Sequence, residues 1–455
     1  MPNNELLRKY NVPGPRYTSY PTVPYWDEST FDSNLWETNF QRSLRSSDAE
    51  EGISIYIHLP YCESLCTFCG CHKHITKQHT VETPYIDALI REWELYTELF
   101  DKRPLIREIH LGGGTPTFFA PEQISRLING ILALADRHPQ YEFSFEGHPN
   151  NTTRDHLQAL YDVGFRRVSF GVQDYSPIVQ KAINRVQTFE TVKNATLTAR
   201  EIGYTSVNHD LVYGLPFQTK GDIIDTMNLT IPLMPERIAF YSYAHVPWIK
   251  GNGQRGFDEN DIPSGPEKRI LYETGKILLE ELNYKEIGMD HFALPEDALY
   301  GAMKNGVLHR NFMGYTPSKT GILIGLGASS ISDCWNGFAQ NVKGINEYKE
   351  LVSRSKIPVY RGHMLLEEDL KIRRHILNLM CAMKTSWKTK AEQFPELPSV
   401  LSKLKEMQQD GLIEISENEL TITDIGKAFV RNICMAFDLR LQRNKPDTQL
   451  FSMTV

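Results

Sequence analysis

Short β-prone runs alternate with amphipathic helical stretches along the first half of this 455-residue chain, and this alternation constrains the fold most. The predicted strands are 53–59, 107–111, 142–146, 167–172, 206–212 and 237–243. The predicted helices between them are 83–99, 121–135, 154–163, 189–202 and 220–233. Strands separated by helices form right-handed βαβ units with a parallel sheet. We therefore expect an α/β fold built on a partial TIM-like (β/α)6 barrel.

The segments on either side of this pattern predict two further parts. Residues 1–50, rich in Pro, Tyr, Asn and Ser, predict an irregular N-terminal arm with one short helix near 31–44. A helix over 266–282 and strand-like runs over 284–290 and 322–326 extend the barrel part, 51–364. In 365–455, helical patterns over 368–381 and 400–410 precede two short strands and a polar turn. This order predicts a mostly helical, winged-helix-like C-terminal domain.

The overall charge excludes some function classes. The net charge is −7 and the pI about 6.1, and the C-terminal part has no strong basic stripe. We expect no nucleic-acid partner, because a winged-helix-like outline alone does not establish one. No apolar run reaches the roughly 18 residues that span a bilayer, and the N-terminus lacks a signal-like core. We expect a cytoplasmic protein without membrane insertion.

Four of the seven cysteines lie within ten residues, directly after the first predicted strand. Cys62, Cys66 and Cys69 have the spacing C-x3-C-x2-C, and Cys71 follows. Clustered cysteines in a large intracellular chain indicate metal or redox chemistry rather than disulfides. Three thiolates would hold a [4Fe–4S] cluster and leave one iron open to a small molecule. The alternative is zinc, but zinc sites usually pair two C-x2-C units over a longer span.

Glycines and polar residues follow several other predicted strands. Gly112–Gly114 come after the second strand, where the absence of Cβ lets backbone approach a ligand closely; a tight turn is the alternative. Glu146, Gln173 and Asp210 stand at later strand ends, the edge where barrel sites form. A weaker glycine run, 324–329, is interpreted as a possible wall of the same site.

The cysteine spacing after the first strand and the glycines after the second resemble the radical S-adenosylmethionine (SAM) superfamily. More distinctive segments, in the same order, resemble the oxygen-independent coproporphyrinogen III oxidase family over essentially the whole chain. They are GPRYTSYPT (14–22), FGVQD (170–174), DLVYGLP (210–216), YAH (243–245), GMDHFA (288–293), HRNFMGYT (309–316) and RNIC (431–434).

This resemblance implies a reaction in haem biosynthesis. Two propionates of coproporphyrinogen III would be oxidatively decarboxylated to the vinyl groups of protoporphyrinogen IX, through a 5′-deoxyadenosyl radical made from SAM. The implied cofactors are a [4Fe–4S] cluster and two SAM molecules. The implied partners are the tetrapyrrole and a reductant protein such as flavodoxin or ferredoxin, and we expect a monomer.

The resemblance also implies roles for individual residues. Cys62, Cys66 and Cys69 would bind iron. The positions matching contacts to cluster-bound SAM are Tyr56, Gly113, Glu146 and Ile331. Those matching contacts to a second SAM are Phe68, Gly114, Thr115, Gln173, Arg185, Asp210 and Ala244.

Four further residues are assigned with an alternative beside each. Cys71 is the candidate catalytic thiol, as a hydrogen donor or a group near the cluster; the alternative is a structural thiol. Arg16, His309 and Arg310 are candidate partners of the substrate's propionates. Alternatively, Arg16 pins the arm and the other two stabilise a loop.

One position departs from the family pattern, and two related activities compete with the oxidase. His148 stands where an acidic residue is expected, which bears on substrate choice. A related haem chaperone would lack the 14–22 segment and carry an aromatic residue at Cys71. A methyltransferase that acts on tetrapyrroles is the second rival, and the segments 14–22 and 431–434 favour the oxidase over it.

Overall fold

The computed structural model describes residues 3–27, 31–47, 50–248, 253–446 and 448–454. Its strands, in chain order, are β1 (Ile53–Leu59), β2 (Tyr61–Cys62), β3 (His74–Ile75), β4 (Leu105–Gly113), β5 (Asp136–Gly147), β6 (Arg167–Gln173), β7 (Ser206–Tyr213), β8 (Arg237–Ser242), β9 (Lys285–Ile287), β10 (His291–Ala293), β11 (His309–Asn311), β12 (Gly314–Thr316), β13 (Leu323–Leu326), β14 (Ile331–Asp333), β15 (Gly337–Asn341), β16 (Val359–Met364), β17 (Lys384–Ser386), β18 (Ile413–Ile415) and β19 (Glu419–Ile422).

The helices follow the amphipathic stretches of the sequence. In chain order they are α1 (Asn4–Tyr10), α2 (Ser33–Ser46), α3 (Glu82–Thr97), α4 (Pro121–Ala133), α5 (Arg154–Asp162), α6 (Pro177–Ala182), α7 (Phe189–Ile202), α8 (Lys220–Thr230), α9 (Gly265–Glu281), α10 (Ala298–Lys304), α11 (Ile345–Ser353), α12 (Glu367–Ala382), α13 (Leu397–Gln409), α14 (Val430–Phe437) and α15 (Leu439–Arg443).

A twelve-stranded sheet forms the centre, in the order β16-β15-β14-β13-β1-β4-β5-β6-β7-β8-β10-β9. The run from β13 to β8 is parallel, and the strands on both sides of it are antiparallel. The α/β prediction and the six predicted strands are confirmed, and β16 and β9 form the two edges of an incomplete barrel. The parallel run contains a seventh strand, β13, which comes late in the sequence and pairs in parallel with β1.

Apolar burial explains why these segments pair. Ile55 and Ile57 of β1, Leu111 of β4 and Phe145 of β5 are fully buried in one large core with the inner faces of α3 and α4. Burying such a side chain contributes about 1.5–3 kcal/mol each, so the apolar positions fix which face of each strand turns toward the helices.

The N-terminal arm is divided between two cores. Trp36 and Phe40 of α2 join the barrel core, whereas Tyr17 and Tyr20 join the core of the C-terminal helices. The predicted irregular arm thus has an unpredicted helix, α1, capped by the Asn3 side chain, which accepts from the Leu6 N–H at 2.8 Å. The arm therefore packs into both cores. The domain limits 1–50, 51–364 and 365–455 stay a prediction.

The C-terminal part has the predicted order. Helix α13 leads into the antiparallel β18–β19 pair, and β17 adds a third strand against β19. In the ranges that the structure describes, no helix is both long and apolar enough to cross a membrane.

Candidate active site

Two neighbouring cavities lie where the parallel strands end. The first, here the central cavity, has a volume of about 430 Å³. Its lining includes Arg16, Phe68, Cys69, Cys71, Gly113, Gly114, Thr115, Glu146, His148, Gln173, Arg185, Asp210, Tyr241 and Ala244. The second, here the cluster cavity, is about 70 Å³ and is lined by the three spaced cysteines together with Thr115 and Arg185. The structure therefore brings most of the predicted site residues together.

The cysteine-bearing segment 62–71, here the cluster loop, is fixed by its neighbours on α6 and in the turn after it. The Thr67 N–H donates to the Ile183 carbonyl at 2.9 Å, and its hydroxyl donates to the Ala182 carbonyl at 2.8 Å. The Asn184 side-chain amide donates to the Leu65 carbonyl at 2.7 Å. These bonds fix the loop without a disulfide between its cysteines, all of which are free thiols.

Hydrogen bonds to sulfur distinguish the cysteines. The Thr115 hydroxyl donates to Cys62 Sγ at 3.3 Å, although burial raises the pKa of Cys62 to about 11. Arg185 Nη1 lies 3.8 Å from Cys66 Sγ. A hydrogen bond from Cys71 lowers the pKa of Cys69, and the same bond raises the pKa of Cys71. Within this pair, Cys69 is therefore the thiol that ionises more readily, and Cys71 is the one that keeps its proton.

The glycines after β4 form a cradle that larger residues would fill. A Cβ on Gly113, whose φ is +111°, would lie 2.6 Å from the His58 ring, and one on Gly114 would lie 2.7 Å from the Pro60 backbone. The Gly114 N–H donates to the Leu59 carbonyl at 2.8 Å. The packing of β4 against β1 thus requires glycine here, and the close approach of this run to a ligand stays a prediction.

Two carboxylates that line the central cavity differ in charge state. Burial favours the neutral form of Glu146, but His110 at 3.6 Å and the Gly113 N–H at 3.3 Å outweigh it, so the pKa is lowered. Burial and the nearby charge of Glu146 raise the pKa of Asp210 to about 7, against donors on Ser169 and Asn208 at 2.9 and 2.7 Å. The pair can thus hold one firm negative charge and one that titrates near neutral pH.

The predicted polar contacts of the cavity wall are held in constrained positions. Gln173 ends β6 with φ +68°, a left-handed conformation that is uncommon for a side chain of this size. Arg185 Nη2 donates to the Gly171 carbonyl at 2.6 Å, and its Nε has no partner among the described residues. The Ala244 carbonyl accepts from the Gln254 side chain at 2.7 Å. Phe68 packs on a small apolar cluster that includes Val179 and Tyr243.

Tyr56 on β1 and Ile331 on β14 flank strand β13, and neither is among the residues that line the central cavity. Tyr56 pairs in register with Gly325 of β13, and a Cβ on that glycine would lie 2.5 Å from the Ile331 carbonyl oxygen. The Tyr56 hydroxyl and His58 Nδ1 are 3.1 Å apart. The backbone of Ile331 therefore packs on β13, the strand that is hydrogen-bonded to β1 beside Tyr56. This strand and the glycine run 324–329 form one wall beside Tyr56.

Helix α3 fixes the same wall from outside. The Tyr85 hydroxyl donates to the His58 carbonyl at 3.0 Å and accepts from the Ala328 N–H at 2.9 Å. Glu92 accepts from the Gly327 N–H at 2.8 Å, and burial raises its pKa to about 7. The loop before Ile331 is thus tied to the strand that precedes the cluster loop.

The three predicted propionate partners separate in space. Arg16 lines the central cavity and donates from Nη2 to the Ser242 carbonyl at 2.5 Å. Arg310 is buried behind it, over the Tyr315 ring, and its Nε and Nη1 have no partner among the described residues. His309 lines a different cavity, with Lys319 and Arg374, and burial lowers its pKa to about 3. The structure does not bring His309 to the central cavity.

Several residues in or beside the site were not singled out from the sequence. His58 and His110 lie on the same inward face as Tyr56 and Gly112, two positions along β1 and β4, so strand periodicity could have found them. Tyr241 lines the cavity from β8. His148, the departure from the family pattern, lines both cavities, and burial together with Arg185 lowers its pKa to about 3, so it is a neutral group.

The residues present fit an iron–sulfur cluster and SAM. Three cysteines on one fixed loop face a common cavity, a glycine cradle that tolerates no Cβ adjoins it, and an orphaned guanidinium nitrogen of Arg185 lies beside both. Within the described ranges, no three His, Cys, Asp or Glu side chains converge on a point suited to a single metal ion. The Cys62, Cys66 and Cys69 side chains would hold three irons of a cluster.

Comparisons with known proteins agree with this geometry. Residues 56–230 match the radical SAM superfamily model. The chain is 37% identical to the oxygen-independent coproporphyrinogen III oxidase of Helicobacter pylori, over 96% of each chain, and 38% identical to that of Salmonella typhimurium, over 99% of this chain and 98% of the other. The solved coproporphyrinogen III oxidase of Escherichia coli, described as a radical SAM enzyme, superposes with a TM-score of 0.88 at 35% identity, covering 96% of this chain and 99% of that one. Similarity of this extent, over arm, barrel and C-terminal part alike, makes the chain a member of the oxygen-independent coproporphyrinogen III oxidase family within the radical SAM superfamily.

Proposed function

We propose that this protein oxidatively decarboxylates two propionate side chains of coproporphyrinogen III to vinyl groups, giving protoporphyrinogen IX without oxygen. The observation that carries the proposal is that Arg16 of the N-terminal arm lines the same cavity as Cys69, Cys71 and Asp210. A carboxylate held by this arginine would lie in one chamber with the cluster loop.

Reduced cluster and SAM, when bound, would supply a 5′-deoxyadenosyl radical for removal of a hydrogen atom from the propionate β-carbon, and a one-electron acceptor from outside the chain would take the electron released with CO₂. The chain's own residues position the reactants. We assign Tyr56, Gly113, Glu146 and Ile331 to SAM bound on the cluster; Gly113 and Glu146 line the central cavity, and the Gly113 N–H donates to Glu146. Glu146, kept ionised by His110, is suited to accept hydrogen bonds from an ammonium or ribose hydroxyl.

A second SAM beside the first is part of the proposal. The residues assigned to it all line the central cavity, namely Phe68, Gly114, Thr115, Gln173, Arg185, Asp210 and Ala244. Arg185 provides a guanidinium for a carboxylate, and Asp210 provides an acceptor. Cys71, which lines this cavity beside Cys69, is proposed to act near the cluster or the reacting carbon.

Positive charge near the arm suits a substrate with four carboxylates. Arg310 Nη2 lies 3.5 Å from the Arg16 carbonyl. Burial, and to a smaller extent the charges of Arg16 and Arg431, lowers the pKa of Lys268 to about 7, so these three cationic side chains lie close to one another. Propionates entering here would be attracted to them, since each carboxylate is ionised at neutral pH.

The test is anaerobic turnover. Protein reconstituted with iron and sulfide receives a reductant, SAM and coproporphyrinogen III, and products are followed by mass spectrometry. The proposal expects loss of two carboxyl groups together with 5′-deoxyadenosine, and an Arg16→Ala variant with a raised KM for the tetrapyrrole. A methylated tetrapyrrole, or haem bound without SAM turnover, would contradict the proposal and favour one of the two rival activities.

A further inference from the structure

The cluster loop has an outer side that faces solvent. Its cysteines at 62, 66 and 69 are only partly buried, and Glu63 and Ser64 between them are exposed. The proposed function requires an electron to enter the cluster from outside the chain. The outer side of the cluster loop offers the shortest path from solvent to the cluster cysteines. The inference below rests on that function.

Three segments join into one continuous surface around the outer side. Helix α6 and the turn after it touch the loop through Asn184 and Arg185, which contact Leu65 and Cys66. The adjoining pair Asn150 and Asn151 bridges the same elements, because their side-chain amides donate to the Val186 carbonyl and the Glu63 carboxylate, each at 3.0 Å. We define residues 62–79 and 176–188 as the cluster face.

Apolar side chains project from the cluster face into solvent. Val186 and Ile178 are 68% and 67% exposed, the largest fractions among the large apolar residues that the structure describes. Ile75, which pairs with Cys62 across the short β2–β3 ladder, is 42% exposed. Single exposed apolar residues are ordinary, but the two most exposed ones flank the same loop, which is typical of an interaction surface.

The charge of the cluster face is opposite to that of the molecule. Residues 62–79 and 176–188 contain Lys73, Lys77 and Lys181 against Glu63, besides Arg185 of the central cavity, whereas the chain as a whole has a net charge of −7. A positive patch with apolar centres favours an acidic partner.

We propose that the cluster face is the docking surface for an acidic protein that carries one electron at low potential. The carrier is oxidised by one electron, and the cluster held by Cys62, Cys66 and Cys69 is reduced by that electron; no proton or bond is exchanged. Small, weak interfaces are usual for such encounters, so a patch centred on Ile178 and Val186 suffices.

The test uses oxidised and reduced flavodoxin, an acidic flavoprotein, with the reconstituted full-length protein. Two variants change the face, a Lys77→Glu/Lys181→Glu pair and Val186→Ser. Matched controls lie elsewhere, Lys356→Glu/Lys390→Glu and Leu366→Ser, the last being 63% exposed. The measurements are the Kd for oxidised flavodoxin, and the rate of cluster reduction by reduced flavodoxin and by photoreduced 5-deazariboflavin, a small neutral reductant.

The proposal expects the lysine pair to raise Kd and slow flavodoxin-driven reduction by about tenfold at low ionic strength, with the difference shrinking as salt is added. Val186→Ser should weaken binding at all salt concentrations, and the controls and the deazaflavin rate should not change. Unchanged Kd and flavodoxin rate would overturn the proposal. Equal slowing with deazaflavin would overturn it too, because the face would then act on the cluster itself.

A third outcome that would contradict the proposal is that the cluster face binds a second copy of the chain. It would be recognised by concentration-dependent self-association that the face variants abolish while flavodoxin binding stays unchanged. None of these measurements uses coproporphyrinogen III, so failure of the tetrapyrrole reaction and failure of this docking surface are separate outcomes.

Discussion

At the scale of single residues, we expect the four clustered cysteines to differ in function, and serine substitutions can distinguish their functions. Cys66→Ser should remove the visible thiolate-to-iron absorption of the reconstituted protein, because an iron then loses its thiolate. Cys71→Ser should keep that absorption and lose decarboxylation. Cys334→Ser, at a buried thiol far along the chain, is the control. A normal cluster spectrum in Cys66→Ser would contradict the ligand assignment.

Asp210 gives SAM binding a pH dependence with a definite sign. Its pKa, raised to about 7 by burial and by Glu146, means that the carboxylate ionises as pH rises through neutrality. If the ionised form accepts hydrogen bonds from the second SAM, affinity at that site should rise between about pH 6 and pH 8.

Asp210→Asn should flatten this profile, because the amide does not titrate. Equilibrium binding of SAM to the reconstituted protein at several pH values measures it, and Asp155→Asn, at a carboxylate on the outer helix α5, is the matched control. A slope that survives in Asp210→Asn would assign the titration to another group.

At the scale of elements, Glu92 connects α3 to the wall that carries Ile331. It accepts hydrogen bonds from the Gly327 N–H, the Asn341 amide and the Tyr348 hydroxyl at 2.8, 2.6 and 2.6 Å. Glu92→Ala leaves these buried donors unpaired, so we expect the free energy of unfolding to fall by about 3 kcal/mol.

The same variant should weaken SAM binding to the cluster, since the loop before Ile331 loses its anchor. Denaturant unfolding and SAM titration measure the two effects, and Glu92→Gln, which keeps one acceptor, should lose less of both. Equal stability of Glu92→Ala and the unchanged protein would show that the network does not hold the wall.

Arg431 fixes the arm that carries Arg16. Its guanidinium donates to the carbonyls of Gly14, Pro15 and Met453, the last two at 2.9 Å. Arg431→Gln should lower the free energy of unfolding by about 3 kcal/mol and raise the KM for coproporphyrinogen III, with SAM affinity unchanged.

Steady-state kinetics and SAM titration separate these effects. Arg443→Gln, at an exposed pair with Glu368, should change the stability by less than about 1 kcal/mol and leave both constants as they were. A KM in Arg431→Gln equal to that of the unchanged protein would show that the arm does not position substrate.

Elements with strong local patterns were predictable from sequence, and those set by long-range packing were not. The strand 53–59 and the helix 189–202 have the predicted limits because their periodicity is clear over the whole length. Helices α1 and α6, of seven and six residues, are too short to show a period. The pairing of β13 with β1 joins residues far apart in sequence, which no local pattern specifies.

The site residues show the same difference between what a local sequence pattern predicts and what it does not. Residues at the carboxyl ends of parallel strands meet at one edge by topology, so Gly113, Glu146, Gln173 and Asp210 converge as predicted. His309 and Arg310 were expected together, yet they are consecutive residues of strand β11, and consecutive strand residues point to opposite faces. One of the two was bound to face away from the central cavity.

At the scale of the whole molecule, two parts of the chain line one chamber and a third part supports it. The barrel provides the cluster loop and the strand ends, and the arm brings Arg16 to the same cavity. The C-terminal part holds the arm through its own core and through Arg431, and the backbones of Pro13 and Met453 pair directly.

Transfer of a hydrogen atom inside this chamber is the central claim, and isotope transfer tests it most directly. Coproporphyrinogen III deuterated at the propionate β-carbons is incubated anaerobically with the reconstituted, reduced protein and SAM, and the 5′-deoxyadenosine is analysed by mass spectrometry. We expect deuterium in the 5′-deoxyadenosine, together with loss of two carboxyl groups from the tetrapyrrole. Deuterium-free 5′-deoxyadenosine beside a decarboxylated product would contradict it.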